Sequence, residues 1–217
     1  MADRLACSPR VSSRLLLAVA AACAAAFAAL AIVVVPAGHP VNLDVAVLDW
    51  VVAHRSEPVT AGFVAVAWSG SILALVPLTA LVGWALRRVA PVVWLAITAV
   101  GANVLHYGFT LVFARPRPPL GQRLFDEATW SFPSGHATQA IAVAAIVYVV
   151  AREGRARGWL LAGAIAYTLL VGCSRVYLGA HWTTDVLGGF ALGGAWVALV
   201  VVARHWLRSR RSRPPIQ

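Results

Sequence analysis

Six apolar runs, near residues 15–36, 61–86, 89–114, 134–151, 158–177 and 183–203, constrain this chain more than any other feature. Each is long enough to cross a hydrocarbon core about 30 Å thick, which takes roughly 20 helical residues. Within such a core every backbone N–H and C=O must be satisfied inside the protein, so the runs predict helices. Composition agrees, since 60% of residues are hydrophobic and only 12% charged, the balance of a chain whose solvent is the bilayer. Pro77 and Pro91 fall within or at the start of two runs, where neighbouring helices can re-satisfy the freed carbonyls. The expected fold is all-α, a six-transmembrane-helix bundle with no second domain.

The formal net charge of +10 rests on arginine alone, for the chain contains no lysine. Of the 18 arginines, 13 fall in the N-terminal arm, the second and fourth loops, and the C-terminal tail. With an even number of spans these segments share a side, and the positive-inside rule makes it the cytoplasm. The expected layout is a cytoplasmic basic arm at 1–14, an integral membrane domain at 15–204 and a cytoplasmic basic tail at 205–217, in the cell membrane with both termini inside. Arg208 to Arg213 lacks interleaved aromatics and directly follows a span, so it reads as an anchor on anionic lipid and not as a nucleic-acid patch. In the first outer loop, residues 41–54 carry Val45, Leu48, Val51 and Val52 with Asp44 and Asp49 placed off that face, the pattern of a short interfacial helix.

Cys7, Cys23 and Cys173 are too few and too scattered for a disulfide framework or a thiolate metal site. Leu5-Ala6-Cys7 faintly resembles a lipoprotein cleavage site, but no apolar segment precedes it, and 15–36 exceeds a signal-peptide core; the N-terminus is expected to be retained as a span.

Five arginines, Arg55, Arg115, Arg117, Arg123 and Arg175, remain on the outer side, and most of them accompany three motifs. Arg115-Pro116-Arg117-Pro118 ends the third span, where the prolines stop the helix and hold guanidiniums at the interface. An arginine fork suits a multiply charged oxyanion, since it bonds two oxygens at once. Pro133-Ser134-Gly135-His136 precedes an apolar helix, so Ser134 is a natural N-cap and the amides near Gly135 sit at the positive end of a dipole, a setting that binds phosphate. Ser174-Arg175 is followed by His181 and Asp185, whose spacing of four places imidazole and carboxylate on one helical face. His181, Asp185 and His136 are also potential metal ligands, but converging arginines repel a dication and stabilise phosphate. Phosphoryl transfer without a metal or other cofactor is the consistent reading.

In this order the motifs resemble the three-part signature of the type-2 phosphatidic acid phosphatase superfamily, over about Thr110 to Asp185. The resemblance implies a helical fold whose motifs meet at one face. It implies that His181 attacks phosphorus and becomes phosphohistidine, that Asp185 orients and charges its ring, and that His136 protonates the leaving oxygen and then activates water. Arg117, Arg175, Ser134 and the Gly135 amide would hold the equatorial oxygens. The family's first motif begins with a lysine seven residues before the arginine, and here that position is Thr110. Arg115, two residues before Arg117, and His106, one turn before Thr110, are candidates to replace its charge.

A site at the outer interface suits a substrate that presents a phosphate there while its tail stays in lipid. Similar short six-span proteins of bacteria, to which the alanine-rich, lysine-free composition points, resemble undecaprenyl-diphosphate phosphatases; phosphatidic acid and phosphatidylglycerophosphate phosphatases fit nearly as well. Arg123, Asp126 and Glu127, in the loop from Pro119 to Trp130, are candidates to read a second phosphate. The expected partners are a lipid phosphate or polyprenyl diphosphate and membrane lipid, with no nucleic acid. A lipid phosphotransferase, or a lapsed member that binds or moves lipids, is the alternative. Asn103, Tyr107, Gln139 and Tyr148 are expected to bond between helices rather than line a substrate path.

Overall fold

Ser12 opens the first helix by accepting the Leu15 N–H on its hydroxyl at 3.2 Å, the role for which a short polar side chain is suited, and α1 then runs Ser13–Val34. The computed structural model describes residues 12–211 except 37–38, 72, 75–76, 78–79, 82–83, 85–88, 126 and 151–154. After α1 come α2 (Asn42–Ala53), α3 (Glu57–Ser69), α4 (Val89–Phe113), a 3-10 turn at Leu120–Gln122, α5 (Gly135–Val150), α6 (Arg155–Tyr177) and α7 (Thr183–Arg211). No strand occurs among the described residues. Four segments among them, Ser13–Val34, Val92–Phe113, Gly158–Tyr177 and Thr183–Arg210, are long and apolar enough to cross a bilayer. The spans expected at 61–86 and 134–151 begin in α3 and α5, and part of each lies outside the described residues.

The largest helix contact is between α1 and α7, while α5 is central, packing on α4, α6 and α7. Close approach of α5 and α7 depends on glycines four residues apart. A Cβ at Gly189 would stand 2.5 Å from the Ser134 carbonyl oxygen and 2.8 Å from the Ala137 Cβ, and one at Gly193 would stand 2.8 Å from the Thr138 carbonyl oxygen. Small residues at this spacing let two helix backbones approach closely. Polar side chains bond across the bundle, Gln139 Nε2 to the Ala99 carbonyl at 3.2 Å and Trp196 Nε1 to the Thr98 carbonyl at 2.9 Å. Tyr107, in contrast, faces outward.

Phe132 is wholly buried and stacks on Phe27 of α1 with ring centroids 5.5 Å apart, Phe109 and Phe113 of α4 completing the cluster. It therefore ties the segment before α5 to two helices, and the following Phe132–Pro133 bond is cis.

The interfacial helix expected at 41–54 forms as α2, but its faces differ from the expectation. Asp44 lies inward with Leu48, both essentially without exposure, while Val45 is on the exposed side. The reason is tertiary: Asp44 has buried partners, described below.

The end of α1 and the start of α7 share a cavity wall with Arg115, through Val34, Val35 and Trp182. Arg14, at the start of α1, and Arg204, Arg208 and Arg210, toward the end of α7, therefore occupy the opposite end of the bundle. Arg55 joins the motif end, bonding the carbonyls of Tyr177 at 2.9 Å and Gln122 at 2.8 Å; its partial burial lowers its pKa.

Candidate active site

The third motif is shaped by the turn from α6 into α7. Gly179 has φ +71, and a Cβ there would collide with the Gln122 carbonyl, so the position requires glycine on both counts. The carbonyl of Arg175 accepts the N–H groups of Ala180 at 3.0 Å and His181 at 3.2 Å, which closes the turn. α7 begins at Thr183, so His181 lies just before the helix and Asp185 in its first turn. Asp185 Oδ2 reaches back to the Trp182 N–H at 2.8 Å, as the third residue of a capping box does.

His181 Nδ1 donates to the Ser131 carbonyl at 2.8 Å. That bond leaves the lone pair on Nε2, which faces Arg117 Nη1 at 3.2 Å. Asp185 Oδ2 is 3.7 Å from Nδ1 and also accepts the Ser131 hydroxyl. The carboxylate thus stands near enough to stabilise charge on the ring, while ring orientation passes through Ser131. Burial, then the guanidiniums of Arg117 and Arg175 and the His136 ring, hold the His181 pKa well below the ordinary histidine value, so the imidazole is neutral and its lone pair available near pH 7.

Ser134 caps α5 as expected, its hydroxyl toward the Ala137 N–H at 3.5 Å and its carbonyl accepting the Thr138 N–H at 3.0 Å. Its own N–H donates to the Asp185 carbonyl at 3.0 Å, which docks the second motif on the third. The first amides of α5, including that of Gly135, have no intrahelical acceptor, as at any helix start. A Cβ on Gly135 would lie 2.7 Å from His106 Nε2, so glycine is required by the histidine below it.

Arg117 is held on every side. Nε donates to the Thr129 carbonyl and Nη1 to the Ala180 carbonyl, both at 2.6 Å, and Nη2 to Thr129 Oγ1 at 2.9 Å. Glu127 then joins the two phosphate-binding candidates, with Oε2 at 2.9 Å from Arg117 Nη2 and Oε1 on Arg175 Nη2. Among the described residues, the buried Arg175 Nε has no hydrogen-bond partner, a donor suited to an anion.

Two cavities meet at Glu127. One, about 270 Å³ and largely apolar, is lined by Val64, Ala67, Trp68, Phe125 and Leu178, with His136, Arg175 and Glu127 at its polar end. The other, about 300 Å³, is lined by Arg117, Arg123, Glu127, Thr129 and Trp130. Arg123 lines this second cavity, its Nε on the Pro118 carbonyl; Asp126 lies outside the described residues.

The two candidates to replace the charge of the family lysine have other partners. Arg115 does not turn toward the phosphate-binding side: Nη1 bonds Asp185 Oδ1 and Thr184 Oγ1, and Nη2 bonds Asp44 Oδ2 at 2.8 Å. The physical reason is that two buried carboxylates outcompete an open site for its charge. His106 Nδ1 lies 3.1 Å from the Pro133 carbonyl and 3.2 Å from Thr110 Oγ1, so this buried pair supports the turn below Gly135. Asp44, Ser131 and Thr129 were missed from the sequence. For Asp44 the sequence carries no signal, since its face is turned inward by partners on other elements; Ser131 and Thr129 lie in irregular chain with no periodicity to read.

Residues 91–209 match the sequence profile of the PAP2 superfamily. Over 86 residues the chain is 43% identical to phosphatidylglycerophosphatase B of Bacillus subtilis, covering 36% of this chain and 41% of that protein. Over 105 residues it is 33% identical to an undecaprenyl-diphosphatase of the same organism, covering 46% and 51% of the two chains. These matches thus span about half or less of each curated relative. The crystal structure of a transmembrane PAP2-type phosphatidylglycerolphosphate phosphatase from Bacillus subtilis superposes with a TM-score of 0.77 at 26% identity, covering 90% of this chain and 99% of that one.

Proposed function

The chain belongs to the PAP2 superfamily, and on that premise we propose that it is an integral membrane lipid phosphatase working through a phosphohistidine. The observation that carries the reading is His181, with its Nδ1 proton committed to Ser131 and Nε2 directed at the arginine cluster, beside an apolar cavity that ends at His136.

A lipid's first carbons occupy the apolar cavity and its phosphate replaces the Glu127 carboxylate between Arg117 and Arg175, within reach of the Ser134–Gly135 helix start. His181 Nε2 attacks phosphorus while the bond to the leaving oxygen breaks. His136, at the polar end of the same cavity, takes up a proton as the phosphate anion binds beside it and gives that proton to the leaving oxygen. Asp185 stabilises the charge carried by the phosphohistidine ring. Neutral His136 next takes a proton from water as its oxygen attacks phosphorus, which releases inorganic phosphate, frees His181 and restores protonated His136. The leaving group is a lipid alcohol from a monoester or a lipid monophosphate from a diphosphate. Undecaprenyl diphosphate on one hand, phosphatidylglycerophosphate or phosphatidic acid on the other, are the substrates to compare.

In the cell membrane we place six spans in one domain, about 15–204, between a basic cytoplasmic arm at 1–14 and tail at 205–217, with the site on the extracytoplasmic side. Separation of the described arginines to opposite ends of the bundle supports this orientation.

The test is phosphate release from C55 diphosphate, phosphatidylglycerophosphate and phosphatidic acid by detergent-purified protein in EDTA, beside His181→Ala. Release should survive chelation and fall by at least about a thousandfold in the variant. Undiminished release from His181→Ala would rule out the phosphohistidine.

A further inference from the structure

We propose that Asp44, on the outer helix α2, is a positioning residue for phosphoryl transfer, acting through Arg115 and the first turn of α7 on Asp185 and thereby on His181. The proposal rests on the phosphatase reading above, but it concerns a residue outside the 91–209 segment that matches the superfamily.

Asp44 has 0% exposure, although it belongs to a short helix beside an outer loop. A carboxylate that deep is tolerated only when its charge and lone pairs are met. Oδ1 accepts the Thr184 N–H at 2.9 Å, and Oδ2 accepts the Thr184 hydroxyl at 2.7 Å and Arg115 Nη2 at 2.8 Å. Asp44 therefore supplies an acceptor for a first-turn amide of α7, next in sequence to Asp185.

The second consequence is electrostatic. Arg115 is one guanidinium between two wholly buried carboxylates, Asp44 on Nη2 and Asp185 on Nη1. Without the Asp44 charge, Arg115 would neutralise Asp185 alone, and the field that Asp185 exerts on the His181 ring 3.7 Å away would weaken. With Asp44 in place, Asp185 keeps charge for the ring, and its Oδ1 is anchored so that Oδ2 faces Ser131 and Trp182. The effect belongs to the step in which positive charge develops on the imidazole, not to phosphate binding, because neither Asp44 nor Arg115 lines the cavities that meet at Glu127.

Asp44→Asn removes the charge and keeps the size. Leu48→Ala, one turn along the same buried face, loosens α2 while leaving both carboxylates of the Arg115 pair in the chain. Each variant is compared with the full-length wild type in detergent for kcat and KM, and for binding of orthovanadate, which adopts the trigonal-bipyramidal geometry of a phosphoryl group in transfer, against inorganic phosphate. Asp44→Asn should lower kcat and orthovanadate affinity by about tenfold to a hundredfold, the usual scale for loss of an outer-shell partner, with KM and phosphate affinity within about threefold. Leu48→Ala should lower the melting temperature and leave that split absent. If Asp44→Asn does not fold, Thr184→Ala, which removes the hydroxyl joining Asp44 to Arg115, should produce the same split at smaller amplitude. Unchanged orthovanadate affinity, or phosphate and orthovanadate affinities that fall together, would overturn the proposal. A wild type that hydrolyses none of the lipids yet shows the orthovanadate split would sink the substrate reading and leave the role of Asp44 standing.

Discussion

Glu127 shows how single side chains set the chemistry here. Its carboxylate spans Arg117 and Arg175 as a phosphate would, one oxygen to each guanidinium, so an incoming phosphate must displace it. Glu127→Gln keeps the shape and removes the competing charge; half-inhibition by inorganic phosphate should then need about tenfold less phosphate, on the scale of one charge-assisted pair. Equal or weaker inhibition would mean that the carboxylate aids binding instead. His181, Asp185, His136, Arg117, Arg175, Ser134 and Gly135 were legible in the sequence because motif order and spacing carry them. Apart from the His181–Asp185 pairing and the Ser134 cap, their partners were not. Arg115 is by sequence a candidate to supply the missing lysine's charge, yet its partners come from α2 and α7, 71 and 70 residues away in sequence, and nothing local announces such a pairing.

At the scale of elements, the site depends on how closely α5 and α7 approach, since Ser134 and Asp185 are joined backbone to backbone across that contact. Gly189→Ala would place a methyl 2.5 Å from the Ser134 carbonyl oxygen, and overpacking of this kind costs about 1–3 kcal/mol. It should lower the melting temperature in detergent and depress kcat with it. Gly163→Ala in α6 is the control, because a Cβ there meets nothing among the described residues within 4 Å, and it should leave both unchanged. Equal melting temperatures for the two variants would show that the α5–α7 contact yields more readily than its geometry implies. The helices themselves were readable from apolar runs, and α2 from its short amphipathic pattern. Which face of α2 turned inward was not, because burial of Asp44 follows from a guanidinium on another element.

For the whole molecule, the arginine distribution makes an orientation prediction. Arg14, Arg204, Arg208 and Arg210 lie opposite the site, while Arg55 and Arg123 lie at its end; by this larger share away from the site the positive-inside rule predicts a cytoplasmic tail. A green fluorescent protein fused after Gln217 should fluoresce, and an alkaline phosphatase fused there should stay inactive in cells. The converse pair of results would invert the bundle and place the site in the cytoplasm.

Solvent and covalent pattern were determined by sequence alone: long apolar runs can satisfy their backbone in lipid only as helices, and the three motifs appear in their order along the chain whatever the packing. The tertiary structure alone decided where charge is spent. It turned Arg115 from the phosphate toward Asp44 and Asp185, gave the Nδ1 proton of His181 to the Ser131 carbonyl, and set Glu127 between two arginines. The physical reason is that, in a low-dielectric interior, ion pairing depends on distance between elements far apart in sequence, and no local pattern encodes that distance.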